Sequence, residues 1–288
     1  MAGINMTDTL SDRQFTQYYR QILLPEVGEQ GQQRLLDQHL IIVGIGGLGT
    51  HVTQQLAAAG IGHLYLVDDD KVETSNLPRQ VLFNTSSVGT NKVVCAAKEI
   101  AKLNSDITVS TYSEKFNEQF ALNILSNNVA LKQAFKKGKL MLLDCSDNMP
   151  TRQLINAWCA THFIPLISAS VSGFSGQIML VDGQVMAEAG CYHCVFSAKE
   201  IQQDCSDMGV LGPMVGVVAS MQALTTIRHI LNIDESDNKL HIFNGLRLTW
   251  RSVVRHHDPH CTACQHWHVS PSEASLSQTH FTAQEACL

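Results

Sequence analysis

Apolar and polar positions along the chain switch between two periods, and the switches mark its elements. Ser11, with Gln14 three positions on, has the form of a capping box and opens a helix through RQFTQYYRQILL. A second helical stretch, GEQGQQRLLDQ, follows Pro25. HLIIVGIGGLGT reads as a buried strand broken by glycine, and THVTQQLAAAG as the helix after it. LYLVDDD is a short strand ending in acids, and a loop, KVETSNLPRQVLF, leads to a helix from about Thr90 to Leu103. ITVSTYS alternates as a strand, NEQFALNILS is helical, and KLMLLDCSDN is a buried strand stopped by polar residues. TRQLINAWCATHF is a helix, and PLISASVSGFSGQIMLVDG reads as two strands bent at its glycines.

Strands alternating with helices over about residues 38–170 predict an α/β fold, a doubly wound, Rossmann-like and mainly parallel sheet behind an N-terminal helical segment. Beyond it MVGVVASMQALTTIRHIL is apolar at helical spacing, and KLHIFNG with LRLTWRSVVRH predicts an antiparallel hairpin turning at Asn244-Gly245. The lysine-bearing insert 127–139 reads as a solvated helix and loop, and residues 269–288 as a flexible Ser/Thr/Gln-rich tail.

The 288 residues are 44% hydrophobic, enough for a core. Twenty-six acids against twenty bases leave a net charge of −6, which argues against nucleic acid as a partner. Each apolar run reads as interrupted before the ~18–20 residues of a membrane span, so no membrane is expected. The polar opening MAGINMTDTLSDRQ resembles no signal peptide, and a cytoplasmic location is expected. The nine cysteines then read as thiols, ligands or a nucleophile rather than disulfides.

Chemistry concentrates at strand ends. Gly44-Ile45-Gly46-Gly47-Leu48-Gly49 stands between a strand and a helix, where bare backbone N–H groups can approach phosphate, and Asp68 follows Gly46 by 22 positions, placed for a ribose hydroxyl. NAD enzymes use such a loop, and so do tight turns without a ligand. Asn76, Arg79, Gln80 and Lys92 on one side, and Asp144, Asp147 and Asn148 on the other, suit a triphosphate with Mg²⁺ better than hydride transfer. Taken singly, Arg79 could be a surface ion-pair partner, Lys92 a solvated residue and Asp147 a helix cap. Cys191-x-x-Cys194 and Cys261-x-x-Cys264 could close a tetrahedral Zn²⁺ site across 66 intervening residues, with His193, His260, His266 and His268 as rival ligands. Cys95, Cys145 and Cys159 read as core filler, and Cys287 has no assignable role.

The ordered set GIGGLG, LVDDD…SNLPRQ, NK, LDCSDN…TR, GCYHC, CSDMGVLGP and CTAC resembles the ThiF/MoeB/HesA family, bacterial relatives of ubiquitin-activating enzymes. The resemblance covers about residues 10–268, with a nucleotide-binding core at about 38–170 and a carrier and zinc portion at about 171–268. It implies a nucleotidyltransferase that adenylates the C-terminal Gly carboxylate of a ubiquitin-like sulfur carrier ending in Gly-Gly. Trp250-Arg251-Ser252 and the lack of a rhodanese-like extension favour the thiamine (thiazole) carrier ThiS over the molybdopterin-synthase carrier served by MoeB-like members. An NAD-dependent oxidoreductase is the remote alternative.

By that resemblance Gly46 and Gly47 lie against phosphates and Asp68 holds the ribose, with Asp70 and Ser75 also at the nucleotide. Asn76, Arg79 and Lys92 contact the triphosphate, Asp147 holds Mg²⁺, and Asn148 lies beside the nucleotide. Arg20 reaches into the neighbouring subunit's ATP site, which implies a homodimer. Cys191, Cys194, Cys261 and Cys264 bind Zn²⁺. Cys205 attacks the activated carrier on the way to a thiocarboxylate, with a sulfur donor protein as further partner, although Asp204 and Asp207 would raise its thiol pKa. Pro78, where relatives often carry Gln, and the insert are mild departures.

Overall fold

In the computed structural model, which describes residues 10–197, 209–233 and 238–265, one sheet organises the chain. Strands β1 (His39–Val43), β2 (His63–Val67), β3 (Thr108–Tyr112), β4 (Leu140–Asp144) and β5 (Leu166–Ser172) are parallel. Strands β6 (Ser175–Val181), β7 (Lys239–Asn244) and β8 (Thr249–Val254) extend the same sheet antiparallel, in the order β3-β2-β1-β4-β5-β6-β7-β8.

The apolar runs of β1, β2 and β4 lack a polar face because both of their faces are covered. Leu40 and Ile42 point into one core, shared with helices α2 (Gly28–Leu36), α3 (Gly47–Ala59), α4 (Lys92–Leu103) and α10 (Gly212–Leu231). Ile41 and Val43 point into the other, shared with α5 (Glu118–Asn127), α6 (Val129–Lys136) and α7 (Met149–His162). Burying each such side chain contributes about 1.5–3 kcal/mol relative to exposure. Helix α1 (Asp12–Ile22) starts with the expected capping box, Ser11 accepting from the Gln14 N–H and Gln14 returning a bond to the Ser11 N–H at 3.0 Å. Two short helices, α8 (Met186–Ala189) and α9 (Tyr192–Val195), lie between β6 and α10.

Three expectations change. The insert forms α6, capped by Asn128 and packed through Leu131 and Ala134, so its lysines are solvated but its helix is anchored. Helix α10 is long and apolar enough by composition to cross a membrane, with a mean hydropathy of 1.3 over its most apolar window; its Ser, Gln and Thr break the run without lowering the average. Here it packs against α3, β5 and β6, and buries Gln222 and Thr226.

The hairpin does not turn on Asn244-Gly245 alone. Asn244 pairs with Thr249, and its side chain accepts the N–H groups of Leu246 and Arg247 at 3.1 and 3.0 Å, organising a loop over residues 245–248. A Cβ on Gly245 would overlap Met214 Sδ of α10, so a side chain there would require that methionine to move.

At the N-terminal ends of β1 and β2, His39 and His63 stack with ring centroids 4.0 Å apart, and His39 Nδ1 lies 2.9 Å from the Tyr65 hydroxyl. Burial first, then the neighbouring His63 and Lys139 charges, hold the His39 pKa down to about 4. The unfolded chain, with a histidine near the usual ~6.5, therefore binds a proton that the native state refuses. Stability is expected to fall as pH drops from about 6.5 toward 4. Urea unfolding across this window should show a shallower loss for His39→Gln than for the unmodified protein; identical pH profiles would refute the assignment.

Candidate functional site

Strands β1 and β4 are neighbours, with Val43 opposite Asp144, yet the chain leaves them toward opposite edges of the sheet. A crevice opens at such a reversal, beyond the carboxyl ends of the strands. Two glycines bring its walls together. Gly44 has φ +87°, and a Cβ on it would stand 2.7 Å from the Cys145 carbonyl oxygen; a Cβ on Gly49 would overlap the Gly44 carbonyl. Helix α3 thus starts directly against the strand end. Its N-cap, Gly46, provides no side-chain cap, and its first-turn N–H groups remain available to an anion.

The cavity there, about 620 Å³, brings together Gly46, Gly47, Asp68, Asp70, Ser75, Asn76, Arg79, Lys92 and Asp147. Asp68 braces the loop as well as lining it, accepting the Ile45 N–H at 2.6 Å and the Asp70 N–H at 2.8 Å. Desolvation raises its pKa, partly offset by the Lys92 charge. Lys92 is buried and ion-paired to the exposed Asp70 carboxylate at 2.7 Å, with two further N–H donors on its ammonium. Arg79 Nη1 donates to the Ser75 carbonyl at 2.9 Å, and the Asn76 amide oxygen accepts the Glu73 N–H at 3.1 Å. Among the described residues no histidine lines the cavity.

Asp147 is exposed at the wall, with one oxygen accepting from Asn148 Nδ2 at 3.3 Å. Its second oxygen is a hard donor of the type Mg²⁺ takes. The cap of α7 is Asn148, not Asp147; its amide oxygen accepts the Thr151 N–H at 3.0 Å, and it does not line the cavity. Arg20 is exposed on α1 and lies outside this cavity. Cys205 falls outside the described residues.

Asp144, grouped above with the acids at the strand mouth, is buried instead. Its carboxylate takes Arg152 Nη1 at 2.9 Å and the hydroxyls of Ser168 and Ser146 at 2.7 and 2.6 Å. Arg152 also donates to the Ala169 carbonyl at 2.9 Å and to the Ser146 carbonyl, so it fixes the segment leading to Asp147. Sequence reasoning quoted this arginine within a motif and gave it no task; its pairing depends on β5, which no local pattern reveals. Gln222 was likewise missed. It donates from α10 to the carbonyls of Asp144 and Ile167 at 3.1 and 2.9 Å.

A second cluster lies on the opposite face of the sheet, at the end of the antiparallel portion. Cys191, Cys194, Cys261 and Cys264 hold their sulfurs within 4.8 Å of one another. The Cys191–Cys194, Cys191–Cys261 and Cys194–Cys264 sulfur separations, 4.0, 3.6 and 3.5 Å, bracket the ~3.8 Å edge of a tetrahedron with ~2.3 Å metal–sulfur bonds. They are far too long for a disulfide, whose sulfurs lie about 2.05 Å apart. Asn156 Nδ2 lies 3.3 Å from Cys191 Sγ, a donor toward a thiolate. Among the rival ligands, His193 bonds Gln153 at 3.0 Å and His260 is exposed, while His266 and His268 lie outside the described residues. Cys95, Cys145 and Cys159 are buried as expected, although Cys145 also lines the nucleotide cavity. On α10 Met214 and Val218 are buried, whereas Val217 is exposed.

The ThiF family model matches residues 18–263. The chain is 39% identical over 256 residues to the sulfur carrier protein ThiS adenylyltransferase of Escherichia coli (strain K12), covering 88% of this chain and 97% of that protein. It is 38% identical to the adenylyltransferase and sulfurtransferase MOCS3 of Dictyostelium discoideum, covering 89% of this chain but spanning only 58% of that relative's length. Among solved structures, E. coli MccB with ATP superposes with a TM-score of 0.69 at 25% identity, covering 88% of this chain and 75% of that one.

Removing Arg152 would leave the Asp144 charge buried and unpaired. Arg152→Ala is expected to cost about 3–5 kcal/mol of stability, read by denaturant unfolding; a loss below about 1 kcal/mol, the range of an exposed pair, would contradict the buried geometry.

Proposed function

The chain belongs to the ThiF family, and from that premise we propose that it adenylates the C-terminal glycine carboxylate of a ubiquitin-like sulfur carrier protein. The observation that carries this reading is the convergence of Arg79, Lys92 and the open N-terminus of α3 with Asp147 on one cavity at the β1–β4 reversal.

The reaction needs such a site. A carboxylate oxygen attacks the α-phosphorus of ATP; that O–P bond forms, the α–β phosphoanhydride breaks, and pyrophosphate leaves with the electron pair. Two anions must be brought together, so cations and backbone N–H groups supply the stabilisation. The nucleophile is already ionised and needs no base, in keeping with a cavity that no histidine among the described residues lines. Gly46 and Gly47 would seat phosphates, while Asp68 and the neighbouring Asp70, Ser75 and Asn76 would hold the ribose and phosphate groups. Arg79 and Lys92 would neutralise charge as it shifts to the departing pyrophosphate. Asp147 would hold Mg²⁺, whose double charge offsets that of the triphosphate. Asn148 would act through α7, which it caps beside Asp147.

Similarity over nearly the full length of the E. coli ThiS adenylyltransferase supports the ThiS-type carrier of thiamine biosynthesis; the MOCS3-type relatives support the molybdopterin-synthase carrier as second reading. Arg20, exposed on α1 and outside its own cavity, fits a role in the site of a second copy, hence a homodimer. Cys205, directly or as a persulfide loaded by a donor protein, would attack the acyl-adenylate carbonyl, and AMP would leave as the carbon–sulfur bond forms. The sulfur spacing of the four-cysteine cluster supports structural Zn²⁺, and the buried thiols of Cys95, Cys145 and Cys159 fit a cytoplasmic setting.

Carrier-dependent pyrophosphate exchange separates these roles. Arg79→Ala and Asp147→Ala should abolish exchange with the fold intact, whereas Cys205→Ser should retain exchange and lose thiocarboxylate formation. Full exchange by both alanine variants would sink the adenylation reading; undiminished thiocarboxylate would remove Cys205 from it. A ThiS-type carrier should outperform the molybdopterin-synthase carrier in kcat/KM, and the reverse order would select the second reading. Metal analysis of freshly purified protein should find one zinc per chain, a value near zero excluding the site.

A further inference from the structure

Asn156 lies in the middle of α7, wholly buried, and one neighbouring segment uses both ends of its carboxamide. Its Oδ1 accepts the Tyr192 N–H at 2.9 Å, which settles the orientation of the amide, since only its oxygen can meet that donor. Nδ2 is thereby turned onto Cys191 Sγ at 3.3 Å. A buried amide is costly unless both ends are paired. A neutral thiol is a weak acceptor, whereas a metal-bound thiolate makes the bond charge-assisted. The pair of bonds therefore suits a side chain that holds a zinc-ligating cysteine, from a helix that gives the cluster no ligand.

Gln153 grips the same knuckle from the preceding turn. Its Oε1 lies 3.0 Å from His193 Nδ1, and its Nε2 donates to the Phe196 carbonyl. Arg152, beside it, reaches instead to Asp144, Ser168 and the carbonyls of Ala169 and Ser146. Between Arg152 and Asn156, then, α7 is pinned both to the strand ends under the nucleotide cleft and to the four-cysteine cluster. Asp147 stands immediately before the cap of this helix, nine positions from Asn156, roughly 14 Å along the axis. A helix packed in a close-fitting interior transmits strain, so a shift of the knuckle reaches the carboxylate at the helix entry.

We propose that Asn156 is a positioning residue that couples the four-cysteine cluster to the nucleotide cleft: through its hold on Cys191 and Tyr192 it fixes α7 along its axis, and so sets the Asp147 carboxylate at the cleft wall. This rests on the zinc and nucleotide readings above. It goes beyond a structural metal site, which need only hold its own segment together.

Asn156→Asp keeps the acceptor for Tyr192 and turns an anionic oxygen onto Cys191. In the full chain it should bind zinc about 10–100-fold more weakly in competition with a chromogenic chelator. With zinc in excess, so that the cluster stays filled, amide hydrogen exchange should quicken over residues 147–153 as well as 188–196. The Mg²⁺ concentration for half-maximal pyrophosphate exchange should rise several-fold, with the KM for the carrier unchanged. The unmodified protein stripped of zinc should lose the same protection over 147–153, and this measurement serves should the variant fail to fold. Faster hydrogen exchange confined to 188–196 and 258–264, with an unaltered Mg²⁺ dependence, would overturn the coupling, as would unchanged zinc affinity in the variant. An unmodified protein that holds no zinc would overturn the zinc reading, and one without carrier-dependent exchange the nucleotide reading; the proposal falls with either.

Discussion

The carbonyl of Cys145 presses on the face of Gly44 that carries no side chain, and the cleft depends on that contact. With a Cβ in the way, the loop after β1 and the segment after β4 could not leave neighbouring strands and still face each other at close range. The Cys145 N–H closes the same contact by donating to the Val43 carbonyl at 2.9 Å. Gly49 repeats the device one turn into α3, resting on the Gly44 carbonyl. The outcome is a helix terminus, two cationic side chains and a carboxylate directed at one volume, each carried by a different element. Every one of those elements is held by a core on one or other face of the sheet.

Charge within the cleft is partitioned by burial. Asp144 and Asp147 are three positions apart and would both repel a phosphate, but the first is neutralised in the interior and the second stays at the wall. A buried pair of this kind adds little stability over an apolar substitute. Its value here is geometric: Arg152 ties β4, β5 and the Ser146 carbonyl to one planar group, and leaves Asp147 as the acid that an incoming cation meets. Gln222 adds a strut from α10, so the far helix and the strand end hold one another.

Local features could be read directly. The capping box at Ser11, the strand ending in acids and the glycine loop each arise between residues a few positions apart, and each stands where the sequence predicts it. The paired C-x-x-C signatures reached further, because each knuckle is itself local and only their union is distant. What stayed hidden depends on contacts across the fold. Gln222 lies 78 positions from the carbonyl it bonds. The Asn244-Gly245 dipeptide signals a two-residue turn, but Asn244 pairs with Thr249 and its side chain organises a longer loop. The choice of Asn148 over Asp147 as the cap rests on backbone angles at the entry to α7, to which both residues are chemically suited.

The sheet also has an asymmetry of edges. β8 ends it, and all six residues Thr249–Val254 are exposed, Trp250, Val253 and Val254 among them. Among the described residues no strand pairs with its outer edge, and unpaired backbone groups beside β-branched and aromatic side chains are a template for another strand. Arg251 is the one charged side chain within that strand. An edge strand with a single charge among its side chains is one to which a strand of another chain could add, on the side of the sheet remote from the nucleotide cleft.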